Sequence, residues 1–217
     1  MPDPSSSPAP PLVSLELRWF LPDGLPPEVG RWFEEDLPET EMGSPDRRTD
    51  TYLFIPGQET LGVKLREGRI EIKWREESRP FEAHGVSGQV ERWLKWSWED
   101  AKGPAPAQIG PWAVPDGPWV DVGKTRLQRK YAWSDGRFVA APAKAILPIG
   151  AAVEIAPLEL RGRKHGTVLI EAFAPEPRAQ EDLLWRAAHV LLGRYPSPRP
   201  GIDRSFGYPR WLAAEIQ

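Results

Sequence analysis

The 217-residue chain contains no cysteine. That absence excludes disulfides, thiolate zinc sites, iron–sulfur clusters and cysteine nucleophiles. Histidine is scarce as well, with only His84, His165 and His189 in the chain. A metal held chiefly by imidazole is therefore not expected, and any bound metal should be a hard cation on carboxylates, such as magnesium, manganese or calcium. No apolar run approaches the ~18 residues of a membrane span. There is no Gly-x-Ser-x-Gly elbow and no Gly-rich phosphate loop; Gly123-Lys124-Thr125 ends like such a loop, but the upstream glycine falls at the wrong spacing. Positive charge is not in excess, since 28 Lys and Arg face 31 Asp and Glu for a net charge of −3. That balance argues against a general nucleic-acid binder and leaves room for a local basic pocket. Residues 1–12 are Pro/Ser-rich without a basic or apolar stretch. They do not read as a signal peptide and are expected to form a disordered tail. Residues 13–217 then read as one domain, with a cytoplasmic location expected.

What is abundant is strand-like alternation, together with 11 tryptophans. Val13, Leu15, Leu17 and Trp19 alternate with Glu16 and Arg18, as the period of 2 in a strand requires. Leu61, Val63 and Leu65 alternate with Lys64 and Arg66. Glu67-Gly68-Arg69 reads as a hairpin turn, after which Ile70, Ile72 and Trp74 oppose Glu71, Lys73 and Arg75. From Gln89 to Trp98, Glu91, Trp93, Lys95 and Ser97 share one face. From Trp119 to Trp133, Lys124, Arg126, Gln128 and Lys130 do. Segments 151–156 and 167–173 are further strands carrying Glu154 and Glu171. Two segments have helical spacing instead: Pro26 to Leu37, with proline tolerated in the first turn, and Arg178 to Leu192, stopped by Gly193. Pro/Gly-rich loops are expected at 102–117, 141–150 and 195–201.

The charged faces mix Lys and Arg with Glu in nearly every strand. On an ordinary antiparallel sheet such a face lies in water. In a closed barrel it points inward, and the converging cations need water, internal Glu partners or a polyanion, because unpaired buried charge is costly. Arg and Lys suit phosphate oxygens by charge and by their multiple donors. The expected fold is mainly β with a few helices, an α+β closed antiparallel barrel of about eight strands with helices outside.

The order of these motifs resembles the CYTH superfamily, the triphosphate tunnel metalloenzymes. Glu16-Leu17-Arg18-Trp19-Phe20 stands where that family opens with Glu-x-Glu-x-Lys. Asp50-Thr51-Tyr52, Lys64-Leu65-Arg66, Lys73, Lys124-Thr125-Arg126, Glu154, Glu171 and Ser205-Phe206-Gly207-Tyr208 follow in the family's order, from about Val13 to Leu212. The resemblance implies an eight-stranded tunnel that binds triphosphate or other phosphoryl compounds with divalent metal on carboxylates. It assigns Arg18, Lys64, Arg66, Lys73, Lys95, Lys124 and Arg126 to the anion, and Glu16, Glu154 and Glu171 to magnesium or manganese.

Two departures remove hard metal ligands: Arg18 replaces the second Glu of the opening motif, and Phe173 stands where a second late Glu is expected. The expected function is therefore binding of triphosphate, polyphosphate or a phosphorylated small molecule, with weak or absent metal-dependent phosphohydrolase activity and no assigned catalytic residue. The alternatives are an active divalent-metal triphosphatase and a protein-interaction module whose lumen charges pair internally. Neither nucleic acid nor membrane is an expected partner.

Overall fold

The computed structural model describes residues 10–38, 40, 42–99 and 118–216. The expected disordered tail lies almost wholly outside these residues, and the loop expected at 102–117 lies outside them. Among the described residues nine strands follow in chain order: β1 Leu12–Pro22, β2 Asp46–Leu53, β3 Leu61–Arg66, β4 Arg69–Ala83, β5 Val86–Glu99, β6 Trp119–Ser134, β7 Arg137–Ala141, β8 Gly150–Leu160 and β9 Arg163–Phe173. Their order across the sheet is β2-β3-β4-β5-β1-β9-β8-β6-β7, and β2 also pairs with β6. That extra ladder, from Asp46↔Arg126 to Leu53↔Trp119, closes eight strands into an antiparallel barrel. Strand β7 is a short flap hairpinned onto β6.

The alternation decides which side each residue faces. Leu15, Leu17 and Trp19 point out of the barrel, where they join Val153, Ile155, Val168 and Ile170 in a buried layer. Helix α2, Pro177–Leu192, lays Leu183, Leu184, Ala187, Ala188, Leu191 and Leu192 on this layer. Glu16 and Arg18 consequently turn inward. One strand changes face partway: a bulge in β4 between Arg75 and Glu77 shifts the register against β5. Before it, odd-numbered Glu71, Lys73 and Arg75 face the lumen. After it, Phe81 and Ala83 face outward and join the layer under α2, because one inserted residue inverts the parity of everything beyond it.

The segment Pro26 to Leu37 is not one regular helix. It is a short α1, Pro27–Arg31, running into a π-helical turn at Trp32–Asp36. The wider turn accompanies burial of both Trp32 and Phe33 while Glu34, Glu35 and Asp36 stay exposed. The Trp32 indole donates to the Leu191 carbonyl at 3.1 Å and ties this turn to α2.

A third helix, α3 Tyr208–Glu215, was not anticipated. It fills one end of the barrel. Inward-facing Phe20, Tyr52, Val120, Val122, Ala156, Leu158 and Leu160 pack there with Phe206, Trp211 and Leu212. Phe20 stacks on Trp211 with ring centroids 4.8 Å apart. The lumen is thus apolar and filled at one end and charged toward the other. The outer wall of β3, β4 and β5 carries apolar ladders, Val63↔Ile72↔Trp96 at the middle, and Ile70, Trp74 and Trp98 are exposed there. Among the described residues no helix is long and apolar enough to cross a membrane.

Candidate functional site

The charged half of the lumen collects side chains from most of the barrel strands. All seven cations expected at the anion site project into it: Arg18 from β1, Lys64 and Arg66 from β3, Lys73 from β4, Lys95 from β5, and Lys124 and Arg126 from β6. Glu16, Glu154 and Glu171 face the same space. Each cation has a carboxylate partner within 4.0 Å.

Several of those partners had been given no place in the site from the sequence. Asp50 of β2 accepts from Lys64 at 3.0 Å and from Arg48 at 3.1 Å. Glu91 of β5 accepts from Arg75 at 2.5 Å and from the Trp93 indole at 3.2 Å. Glu71 of β4 is shared by three cations, Lys64 at 3.1 Å, Arg66 at 3.3 Å and Lys95 at 3.1 Å. Glu71, Arg75 and Glu91 occupy the same alternate positions as Lys73 and Lys95, so their orientation was legible. Tyr208 was a less accessible inference, because it comes from α3 and no strand pattern marks it as inward. It stacks on Tyr52 at 5.0 Å and lies under Arg18 at 5.1 Å and Lys124 at 5.7 Å.

The space that remains lies between Glu16, Arg18, Lys64, Glu71, Lys73, Lys124 and the α3 entry at Gly207 and Tyr208. It offers about 90 Å³ to the centres of water-sized molecules, several times what one water needs. Gly207 is fixed by this packing, since a Cβ there would lie 2.5 Å from the Trp93 ring. Two buried polar atoms at the site have no hydrogen-bond partner among the described residues, Arg66 Nε and the Tyr208 hydroxyl. A buried donor left unpaired is costly, so each is a natural place for a ligand atom or a water.

Electrostatics divide the acids into two kinds. Burial pushes the Glu16 carboxyl up, but Lys73 and Arg18 outweigh it and hold the group down at about 2. Glu154 is treated likewise by burial against Lys124 and Arg18, and Glu71 by burial against Lys64 and Lys95, each ending at about 2. Glu171 goes the other way. Burial first, and then the negative charge of Glu16, raise it to about 7. Its side chain keeps some exposure to the lumen, and no cation lies within 4.0 Å of it among the described residues. Lys64 is lowered to about 8, by burial against the pull of Asp50 and Glu71.

These contacts bear on the carboxylates assigned to metal. Glu16 Oε1 takes Lys73 and Ser14, and its Oε2 lies 3.5 Å from Arg18. Glu154 Oε1 takes Lys124 at 2.7 Å and lies 3.8 Å from Arg18, while its Oε2 is 4.0 Å from Arg126. Magnesium and manganese need several oxygens at close range, and here all four oxygens of the pair already face cations. Among the described residues no three carboxylate or imidazole side chains converge as a metal-holding group. Glu16 and Glu154, paired in this way, do not fit a divalent ion, and Glu171 alone of the three has no cation within 4.0 Å among the described residues.

No known family model matches the chain, and no curated protein matches it. Among solved structures it is similar to the PH1819 protein from Pyrococcus horikoshii OT3, with 15% sequence identity, a TM-score of 0.41, and coverage of 82% of this chain and 88% of that one.

Proposed function

We propose that the protein binds a phosphate-rich anion, triphosphate or a compound of similar charge, in the charged half of its barrel. The observation that carries this reading is the sharing of one carboxylate, Glu71, by Lys64, Arg66 and Lys95. Even with Asp50 assisting Lys64, this wall holds more positive than negative charge, and an anion would complete it. Arg66 Nε adds a donor with no acceptor among the described residues. Side-chain exposures of 30% for Lys73 and 32% for Arg126 leave those two cations open to solvent, so a ligand reaches them without dismantling the interior. Charge-assisted hydrogen bonds to phosphate oxygens are stronger than neutral ones, and Arg offers several in one plane.

Thermal melting in triphosphate, monophosphate and chloride at equal ionic strength tests the reading, because a ligand of the native state alone raises the midpoint. Triphosphate should stabilise most. Arg66→Ala or Arg126→Ala should weaken its binding by about 1–3 kcal/mol. Identical midpoints in triphosphate and chloride would refute it.

A further inference from the structure

Arg18 is one of the two most buried cations of the lumen, and its position has a consequence for what the site accepts. Its side chain keeps only 8% of its exposure. One guanidinium nitrogen faces Glu16 at 3.5 Å. The other faces Glu154 at 3.8 Å and donates to the Thr167 hydroxyl at 3.3 Å. The group thus spans two carboxylates on separate strands, as a bridging metal ion does, while the Tyr208 ring covers its face.

We infer that Arg18 is a resident cation standing in the place of a divalent metal, so that the lumen takes the metal-free polyanion and not its magnesium complex. The choice of anion as ligand rests on the function proposed above; the exclusion of metal does not.

Three physical points lead to this. A divalent ion reaching Glu16 and Glu154 must displace the guanidinium, and a buried arginine stripped of its carboxylates is a strongly unfavourable charge. If Arg18 stays, the ion lies beside Arg18, Lys73 and Lys124 at once, and like charges at a few ångströms in a partly dry site repel strongly. The cations also fall into two tiers. Arg18 and Lys124 have side-chain exposures of 8% and 6% and are locked onto Glu16 and Glu154, whereas Lys73, Lys95 and Arg126 at 30%, 25% and 32% remain reachable. The inner tier is closed off by its acids, whereas the outer tier, which also contacts Glu16, Glu71 and Glu154, stays open to a ligand. A magnesium complex presents less negative charge to that outer tier than the bare anion does.

The test has two arms on the unaltered protein. Electron paramagnetic resonance titration with Mn2+ alone should find no specific site below about 1 mM, whereas dedicated carboxylate sites bind far more tightly. Melting shifts from triphosphate should be at least as large in EDTA as in excess Mg2+. Arg18→Ala, checked for folding by circular dichroism, should gain Mn2+ affinity by about tenfold or more as two carboxylates lose their bridge. Micromolar Mn2+ binding by the unaltered protein, a triphosphate shift that appears only with metal, or a folded Arg18→Ala protein that gains no Mn2+ would each overturn the inference. If Arg18→Ala does not fold, the two arms on the unaltered protein decide. Absence of any triphosphate shift in either condition would instead overturn the anion reading, and the Mn2+ arms would still decide the place of Arg18.

Discussion

At the scale of single residues, Glu171 stands apart from the other lumen acids. Its strand neighbour across the ladder is Glu16, which keeps its own charge through Lys73 and Arg18. Burial, and then that neighbouring charge, hold on Glu171 a proton that the unfolded chain gives up near the ordinary value of 4.5. Between about pH 4.5 and about 7 the folded protein binds that proton and the unfolded one does not, so this group makes stability fall as pH rises through that window. Glu16, Glu71 and Glu154 work oppositely. Their contribution is present above about pH 4.5 and is lost as pH falls toward 2. Glu171→Gln should flatten the decline between pH 5 and 8 and raise stability at pH 8, measured by urea denaturation at each pH. An unchanged pH profile would mean that Glu171 is already ionised in the folded protein.

At the scale of elements, α3 has an outsized role for eight residues. Trp211 is 1% exposed and lies among Phe20, Tyr208 and His165. Trp211→Ala should cost about 3–5 kcal/mol, as removal of a large buried aromatic does; a loss below about 1 kcal/mol would show that the barrel end repacks without it. The element scale is also where reading the sequence succeeded and failed for physical reasons. Strands β1, β3, β5 and β6 were legible because each sets apolar residues on one face and charged ones on the other, which is what period 2 reports. The closed barrel and the inward direction of Lys64, Arg66, Lys73, Lys124 and Arg126 came from that same pattern. Strand β7 was missed because Arg137–Ala141 is too short to show a period. The far half of β4 was missed because its bulge breaks the period at Glu76. Helix α3 was missed because Trp211 and Leu212 bury into a barrel end, a tertiary contact that eight residues around Pro209 do not announce. In the site, the cations were read correctly as inward, but their acids were underweighted: Asp50, Glu71 and Glu91 sit on the same faces, and pairing is a matter of three-dimensional distance.

At the scale of the whole molecule, the lumen is a network of fixed charges already oriented before any ligand arrives. Fixed cations hold a phosphate chain in its ground state about as well as in a transition state, and uniform binding of that sort gives affinity without rate. Lys and Arg also cannot generate a metal-bound hydroxide. The purified protein should therefore release phosphate from triphosphate no faster than weakly above the uncatalysed background, across Mg2+ and Mn2+ and from pH 6 to 9. Brisk metal-dependent release, abolished by Glu171→Gln, would show that the remaining carboxylates do more than the geometry implies.

The seating of Phe206, Trp211 and Leu212 in one end of the barrel gives the interior a direction. A chamber stopped at its base is worked by insertion and withdrawal, never by passage. A linear polyanion bound in the charged half as proposed would meet that apolar packing and could not thread past it toward α3. For a polyanion held in that way, the number of available seats would follow how many ends it has and not how long it is.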